Sequence, residues 1–196
     1  MQYVISPHHS AHMDPWVWWE DAFTHEELNR LQDIAKNSQE PASVGGNKGQ
    51  FETDNSVRRS NVSWLGNSPE NNWVYERLGY VVSKINADYY NFDLAGFGEA
   101  LQMTNYNSEN LGTYGWHTDF SGGQIGRKLS LVLQLTDPSQ YEGGNLEVLT
   151  RPDPMVLPKK RGLIVCFPSW TLHRVTPVTM GTRQSLVTWI TGNPFR

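Results

Sequence analysis

The 196-residue sequence has one cysteine, Cys166, so no intramolecular disulfide can staple the chain. That suits a reducing compartment. No apolar run approaches the ~18 residues that a membrane helix needs. Met1 to Asp14 lacks a basic patch followed by an apolar stretch, so no signal peptide is expected. Positive charge is scarce too: 16 Lys and Arg stand against 20 Asp and Glu, for a net charge of -4 and an isoelectric point near 5.8. A nucleic-acid binder usually carries a basic face. The only tight basic run here is Lys159-Lys160-Arg161, which reads as a solvated turn. Internal repeats and low-complexity tracts are missing as well. The expectation is a soluble, intracellular (cytoplasmic) protein with neither nucleic acid nor membrane as partner.

What is present fits one domain spanning 1–196, in two regions. The length suffices for a sizeable core. The first region, 1–91, is partly helical. Thr24 with Glu27 forms a capping box, and Leu28, Leu31 and Ile34/Ala35 give the stripe of a helix lying on a core. A second helix is expected over 71–89, with Trp73/Val74, Leu78, Val81/Val82, Ile85 and Tyr89 on its buried stripe. Three glycines in 44–50 mark a flexible loop, and the wider 44–56 segment is a candidate lid. Val57 to Leu65 reads as a short strand. Trp16-Val17-Trp18-Trp19 reads as an apolar strand closing a sheet edge.

The second region, 99–191, is strand-rich. Strands are expected at 99–106, 114–117, 128–135, 145–149, 162–167, 173–175 and 183–191, punctuated by Gly, Pro, Asn and Asp. Seven short strands at this spacing suggest a sandwich or barrel, with the helices packed outside it.

Two histidines and a carboxylate on one face leave coordination positions open on iron. His117-Thr118-Asp119 has the required spacing, since residues i and i+2 of a strand point to one side. His173 follows the apolar run 163–167 and a Pro168-Ser169-Trp170 turn. His-x-Asp alone is a weak motif, and His12-Met13-Asp14 is a second copy in an irregular stretch, read as a decoy. Arg183 adds weight. Alternation puts Arg183, Ser185, Val187 and Trp189 on one strand face. If that face lines the barrel, Arg183 is a buried cation without a nearby acid in sequence, and it needs an anion. A dicarboxylate would supply one, bound by the planar guanidinium fork, with Ser185 as a further donor.

These residues resemble the prolyl 4-hydroxylase-type branch of the Fe(II)/2-oxoglutarate oxygenases. The resemblance rests on Asn105-Tyr106, Gly112, Tyr114 and His117-Thr118-Asp119, on Lys128-Leu129-Ser130-Leu131, and on Tyr141-Glu142-Gly143-Gly144-Asn145-Leu146. It continues through His173-Arg174-Val175-Thr176-Pro177-Val178-Thr179 to Gly181-Thr182-Arg183. It covers 99–191 well, and Arg58 to Leu65 extends it.

The resemblance implies a mainly β fold, a double-stranded β-helix (jelly-roll, cupin-like) core with N-terminal helices outside. It implies His117, Asp119 and His173 as iron ligands and Arg183 as partner of the C5 carboxylate of 2-oxoglutarate. Tyr106 matches a tyrosine lining the cosubstrate pocket; Gln102 and Thr104 share its strand face, and Gln102 is a candidate for the same wall. Trp189 matches an aromatic beside the cosubstrate. Gln134 departs from the pattern, standing where some relatives place a tyrosine that bonds the same carboxylate; Ser185 is a candidate substitute.

The implied cofactors are Fe(II), 2-oxoglutarate and O2, with L-ascorbate as a candidate reductant. The implied reaction is C–H hydroxylation coupled to decarboxylation of 2-oxoglutarate to succinate. A carboxylate at position 119 argues against halogenation. The implied substrate is a peptidyl proline in a peptide or protein, the alternatives being a free amino acid or another protein side chain. Arg127, Trp64 and Trp116 are candidate substrate contacts, although core packing is expected for both tryptophans. A catalytically inactive jelly-roll binding module and a zinc hydrolase using the same three ligands compete with this reading. Oligomeric state is left open.

Overall fold

The computed structural model describes residues 13–36, 40–45, 51–120 and 126–193. In chain order the elements begin with β1 (Val17–Trp19), α1 (His25–Lys36), β2 (Glu40–Pro41), β3 (Val44–Gly45), β4 (Phe51–Glu52), β5 (Arg58–Arg59), β6 (Asn61–Leu65) and α2 (Asn72–Ile85). They continue with β7 (Leu94–Phe97), β8 (Leu101–Asn107), β9 (Thr113–His117), β10 (Arg127–Gln134), β11 (Tyr141–Gly143) and β12 (Leu146–Val148). The last four are β13 (Met155–Val156), β14 (Ile164–Pro168), β15 (His173–Val175) and β16 (Val178–Gly192).

The strands form two facing antiparallel sheets. The larger runs β1-β14-β10-β16-β8-β6-β2, with β7 and β11 also pairing with β16; the smaller runs β13-β12-β15-β9-β5. This mainly β, jelly-roll arrangement is the double-stranded β-helix. β1 lies at the edge of the larger sheet, with Trp18 opposite Val165. No helix among the described residues is long and apolar enough to cross a membrane.

Strand alternation sorts the larger sheet into two cores. Leu129, Leu131 and Leu133 of β10, Ile164 and Cys166 of β14, and Leu186 and Ile190 of β16 face the helices, where they meet Leu28, Leu31 and Ala35 of α1 and Leu78, Val81 and Ile85 of α2. The intervening Val132, Val165 and Phe167 face the smaller sheet and pack with Tyr106, Leu146, Val148 and Val175. Both faces of β10 and β14 are therefore covered, which explains why their sequences are nearly continuous apolar runs. Cys166 is fully buried, and burial pushes its thiol up, so it packs as a small hydrophobe.

α1 starts where the capping box places it. The Thr24 N–H donates to Glu27 Oε2 at 2.8 Å and the Glu27 N–H to Thr24 Oγ1 at 3.2 Å. α2 departs from expectation at its end. A π-turn over Asn86–Tyr90 follows Ile85, closed by the Asn91 N–H on Asn86 O, with Asn91 left-handed at φ 51°. The extra residue advances the register by one. Tyr90 is therefore buried and donates to Cys166 O at 3.3 Å, while Tyr89, expected on the buried stripe, is exposed.

The 44–56 segment pairs β3 with β4 as a two-stranded hairpin; residues 46–50, which carry the loop expectation, and His12 of the second His-x-Asp lie outside the described residues.

Candidate metal centre

β9 and β15 are hydrogen-bonded neighbours, and His117 stands directly opposite His173 in their register. Asp119 lies just past β9. Its N–H donates to Ser169 O at 2.9 Å, tying it to the turn between β14 and β15. These pairings bring together residues 50 and 56 positions apart in sequence. The ligand atoms of His117, Asp119 and His173 all lie within 4.8 Å of one another. His117 Nε2 is 3.7 Å from Asp119 Oδ1, and His173 Nε2 is 3.5 Å from Asp119 Oδ2.

Both rings are held in one tautomer. His117 Nδ1 sits 2.8 Å from Gly115 O and His173 Nδ1 sits 2.9 Å from Thr171 O. A carbonyl only accepts, so each Nδ1 carries the proton and each Nε2 offers its lone pair toward Asp119. Burial first, then the neighbouring His173, pulls the His117 pKa down to about 4, so its imidazole is neutral at neutral pH. Burial pushes the Asp119 carboxyl upward, but the two imidazoles and the Ser130 hydroxyl outweigh it and hold the group below its usual range. Ser130 Oγ donates to Asp119 Oδ2 at 2.7 Å and lies 3.0 Å from Ser169 Oγ, both serines fully buried. With Ser130 donating to the carboxylate, Ser169 is left to donate to Ser130. Two imidazoles and one carboxylate, converging with the ring orientations fixed, suit a divalent first-row metal such as Fe(II).

A stack behind His117 fixes its plane. Tyr114 lies against it with ring centroids 3.5 Å apart and planes 16° apart, and the Arg58 guanidinium covers the other face of Tyr114 at 4.6 Å. Arg58 and Tyr114 are partners across β5 and β9, and Arg58 Nε donates to Ser60 Oγ at 2.8 Å. Burial pushes the Tyr114 phenol up to about 12, so it stays protonated.

On β16 the register pairs Arg183 with Tyr106, Ser185 with Thr104 and Val187 with Gln102; on the other side Ser185 pairs with Gln134 and Trp189 with Ser130. Paired residues share a face, so all of these line the barrel interior with the metal ligands. Arg183 is 1% exposed. Its Nη1 reaches Ser185 Oγ only at 3.5 Å, and its Nε and Nη2 have no hydrogen-bond partner among the described residues. The Gln134 Oε1 is likewise buried and unpartnered. Gln102 Nε2 donates to Thr104 Oγ1 at 2.9 Å. The Trp189 indole N–H, buried and otherwise unpartnered, adds to the pull on Asp119.

Two expectations are corrected. Trp64 and Trp116 are not core residues: they are 51% and 36% exposed, and the Arg174 guanidinium covers Trp116 at 4.6 Å. Trp64 is opposite Gln102, so its ring stands at the rim on the interior face. Lys159-Lys160-Arg161 is only partly a solvated turn: Lys160 is exposed, but Lys159 and Arg161 are half-buried. Lys159 donates to Gly143 O at 2.6 Å, Lys160 pairs with Glu20, and Arg161 holds Leu135 O, Asn29 and Gln32. Arg127, a candidate substrate contact, is gripped by Glu99 with two bonds of 2.6–2.7 Å and stacks on Trp189 at 3.8 Å.

Sequence reasoning missed Arg58, Ser130 and Ser169 as parts of the site. Cross-strand register places Arg58 and Ser130, and hydrogen bonds to Asp119 and Ser130 place Ser169. A polar cleft of about 320 Å³ on the outer face of β8 and β16, lined by Asn105, Thr182 and Gln184 among others, contains none of the converging ligands.

The sequence model of the 2OG-Fe(II) oxygenase superfamily matches residues 101–191, a span that contains His117, Asp119, His173 and Arg183. A PKHD-type hydroxylase of Prochlorococcus marinus is 43% identical over 79 residues, 40% of this chain and 36% of that protein. One of Teredinibacter turnerae is 40% identical over 103 residues, 49% of this chain and 46% of that protein. The chain thus spans less than half the length of these relatives. Among solved structures, a Pseudomonas putida prolyl-4-hydroxylase superposes with a TM-score of 0.72 over 92% of this chain and 94% of that one, at 19% identity. A Trichoplax adhaerens prolyl hydroxylase in complex with a hypoxia inducible factor peptide fragment gives 0.73 over 91% and 84%, at 13% identity. The fold, the converging ligand set and the match over residues 101–191 agree: this stretch of the chain is similar to the 2OG-Fe(II) oxygenase superfamily.

Proposed function

We propose that the protein is an Fe(II)- and 2-oxoglutarate-dependent dioxygenase that hydroxylates a C–H bond of a peptidyl proline. One observation carries the cosubstrate reading. Arg183 is buried in the same barrel as the three ligands, with two donor nitrogens lacking a hydrogen-bond partner among the described residues. A buried guanidinium without an anion is costly, and the C5 carboxylate of 2-oxoglutarate would satisfy it with a bidentate pair. His117, Asp119 and His173 would hold the metal.

Bound iron with 2-oxoglutarate supplies the oxidising chemistry, O2-driven decarboxylation to succinate and CO2 with one oxygen atom passed to a C–H bond. The chain's own part is positioning. Gly115 O and Thr171 O fix the imidazole tautomers. Ser130 orients the Asp119 carboxylate. Tyr106, Thr104 and Gln102 line the wall that runs from Arg183 toward the rim.

The substrate class rests on the relatives, several of which are prolyl hydroxylases, one with a peptide bound. Exposed aromatic side chains at Trp64, Trp116, Phe120 and Trp170, close in sequence or register to the ligands and the pocket wall, suit a proline-containing peptide better than a small charged metabolite. We read residues 1–196 as one oxygenase domain, since β6 of the N-terminal region pairs with β8 along five residues.

The test is incubation with Fe(II), 2-oxoglutarate and proline-containing peptides, with and without ascorbate. The expected result is succinate formed together with a one-oxygen mass gain on proline. Turnover confined to free amino acids would overturn the peptide assignment. No succinate with any substrate, with metal and 2-oxoglutarate bound, would favour the inactive binding module.

A further inference from the structure

Gln134 brings an amide to the pocket wall from β10. Gln134 lies opposite Ser185 with its Oε1 buried and unpartnered, and Ser185 stands at the limit of hydrogen bonding to Arg183. A carboxylate only accepts, so each further donor beside the guanidinium would help to hold it.

β11 delivers one from another direction. Tyr141 is 4% exposed and pairs with Gly181 of β16. The turn after it, Gly143-Gly144, has both residues left-handed, at φ 71° and 55°. This is a place only glycine fits. A methyl group at Gly144 would lie 2.9 Å from Arg183 Cδ and 3.3 Å from Tyr141 Cε2. The ring edge next to the phenol oxygen and the stem of the guanidinium therefore flank the same point. Lys159 fixes the assembly from behind, with Nζ donating to Gly143 O at 2.6 Å and lying 5.0 Å over the Tyr141 ring. Burial raises the Tyr141 phenol while Arg183 pulls the other way, so the hydroxyl keeps its proton and lies within the guanidinium's reach.

We propose that Tyr141 is a cosubstrate-binding residue whose phenolic hydroxyl donates to the same carboxylate as Arg183, reaching it from β11. This rests on the 2-oxoglutarate reading above. It makes the Tyr141-Glu142-Gly143-Gly144 segment part of the cosubstrate pocket as well as a turn. It also makes selectivity for a distal carboxylate depend on two elements, β16 and β11.

The test measures dissociation constants on the Mn(II)-loaded protein, for 2-oxoglutarate and for 2-oxobutyrate, a 2-oxo acid without a distal carboxylate. Tyr141→Phe removes one oxygen and keeps the ring against Gly144 and Lys159. A hydrogen bond to a charged group implies a loss of roughly 10-fold or more in 2-oxoglutarate affinity. The affinities for Mn(II) and 2-oxobutyrate, and the melting temperature without ligand, should stay as in the unmodified protein. Equal weakening of both oxo acids, or no weakening of either, overturns the proposal. Arg183→Leu separates the two claims. If that variant binds 2-oxoglutarate normally, the Arg183 pocket reading fails. If it loses binding while Tyr141→Phe does not, only the Tyr141 assignment fails.

Discussion

At the residue scale, the site is built by side chains that fix the donors rather than by the donors alone. Ser130 and Ser169, both fully buried, form a hydroxyl relay onto Asp119. Removing such a support usually costs about 10–100-fold in metal affinity. Ser130→Ala is therefore expected to weaken Mn(II) binding by roughly that factor in a calorimetric titration. Binding equal to the unmodified protein would show that the relay is not needed. Acid should act through His117. Its folded-state pKa of about 4 lies below the ordinary 6.5, so the folded state binds fewer protons there than the unfolded chain. The stability it contributes is present above 6.5 and is lost as pH falls toward 4. The melting temperature of metal-free protein should drop across that window, and bound metal, which needs the neutral imidazole, should oppose the drop. A flat profile from 6.5 to 4 would contradict the assignment of a buried, neutral His117.

At the element scale, the parts legible in the sequence are those set by local chemistry. The capping box of α1 depends on Thr24 and Glu27 alone and forms with bonds of 2.8 and 3.2 Å. Thr24→Ala should cost about 1 kcal/mol in a denaturant titration; an unchanged midpoint would mean that tertiary packing alone holds the helix start. The interior face of β16 follows from period-two alternation, which puts Arg183 and Trp189 on the same side whatever the partner strands. The exposed Trp64 and Trp116, the partnered Lys159 to Arg161 segment and the π-turn after α2 were not legible. An apolar residue at a strand position reads as core unless one knows which strand ends at the rim. A basic run reads as solvent-facing unless one knows that β11 brings Gly143 O to Lys159. A single extra residue in the last turn of a helix carries no composition signal, yet it exchanges Tyr89 for Tyr90 in the core.

At the scale of the whole molecule, the architecture explains why so few residues carry the chemistry. The larger sheet spends one face on the helices and offers the other to the smaller sheet. The polar residues on that inner face, from Ser130 and Gln102 to Arg183, have no solvent to satisfy them and are usable only by a ligand or by one another. His117 and His173 come from the smaller sheet and Arg183 from the larger, so one ligand reaching both would join the two sheets. Metal and 2-oxoglutarate should then stabilise the fold cooperatively, since ligands bound only by the native state raise its melting temperature. The most direct measurement is the thermal unfolding of metal-stripped protein with Mn(II), with 2-oxoglutarate and with both. The account predicts a greater shift for the pair than for the two separate shifts combined, abolished by His173→Ala. No shift with the pair, or one that survives His173→Ala, would contradict a metal and cosubstrate site in this barrel.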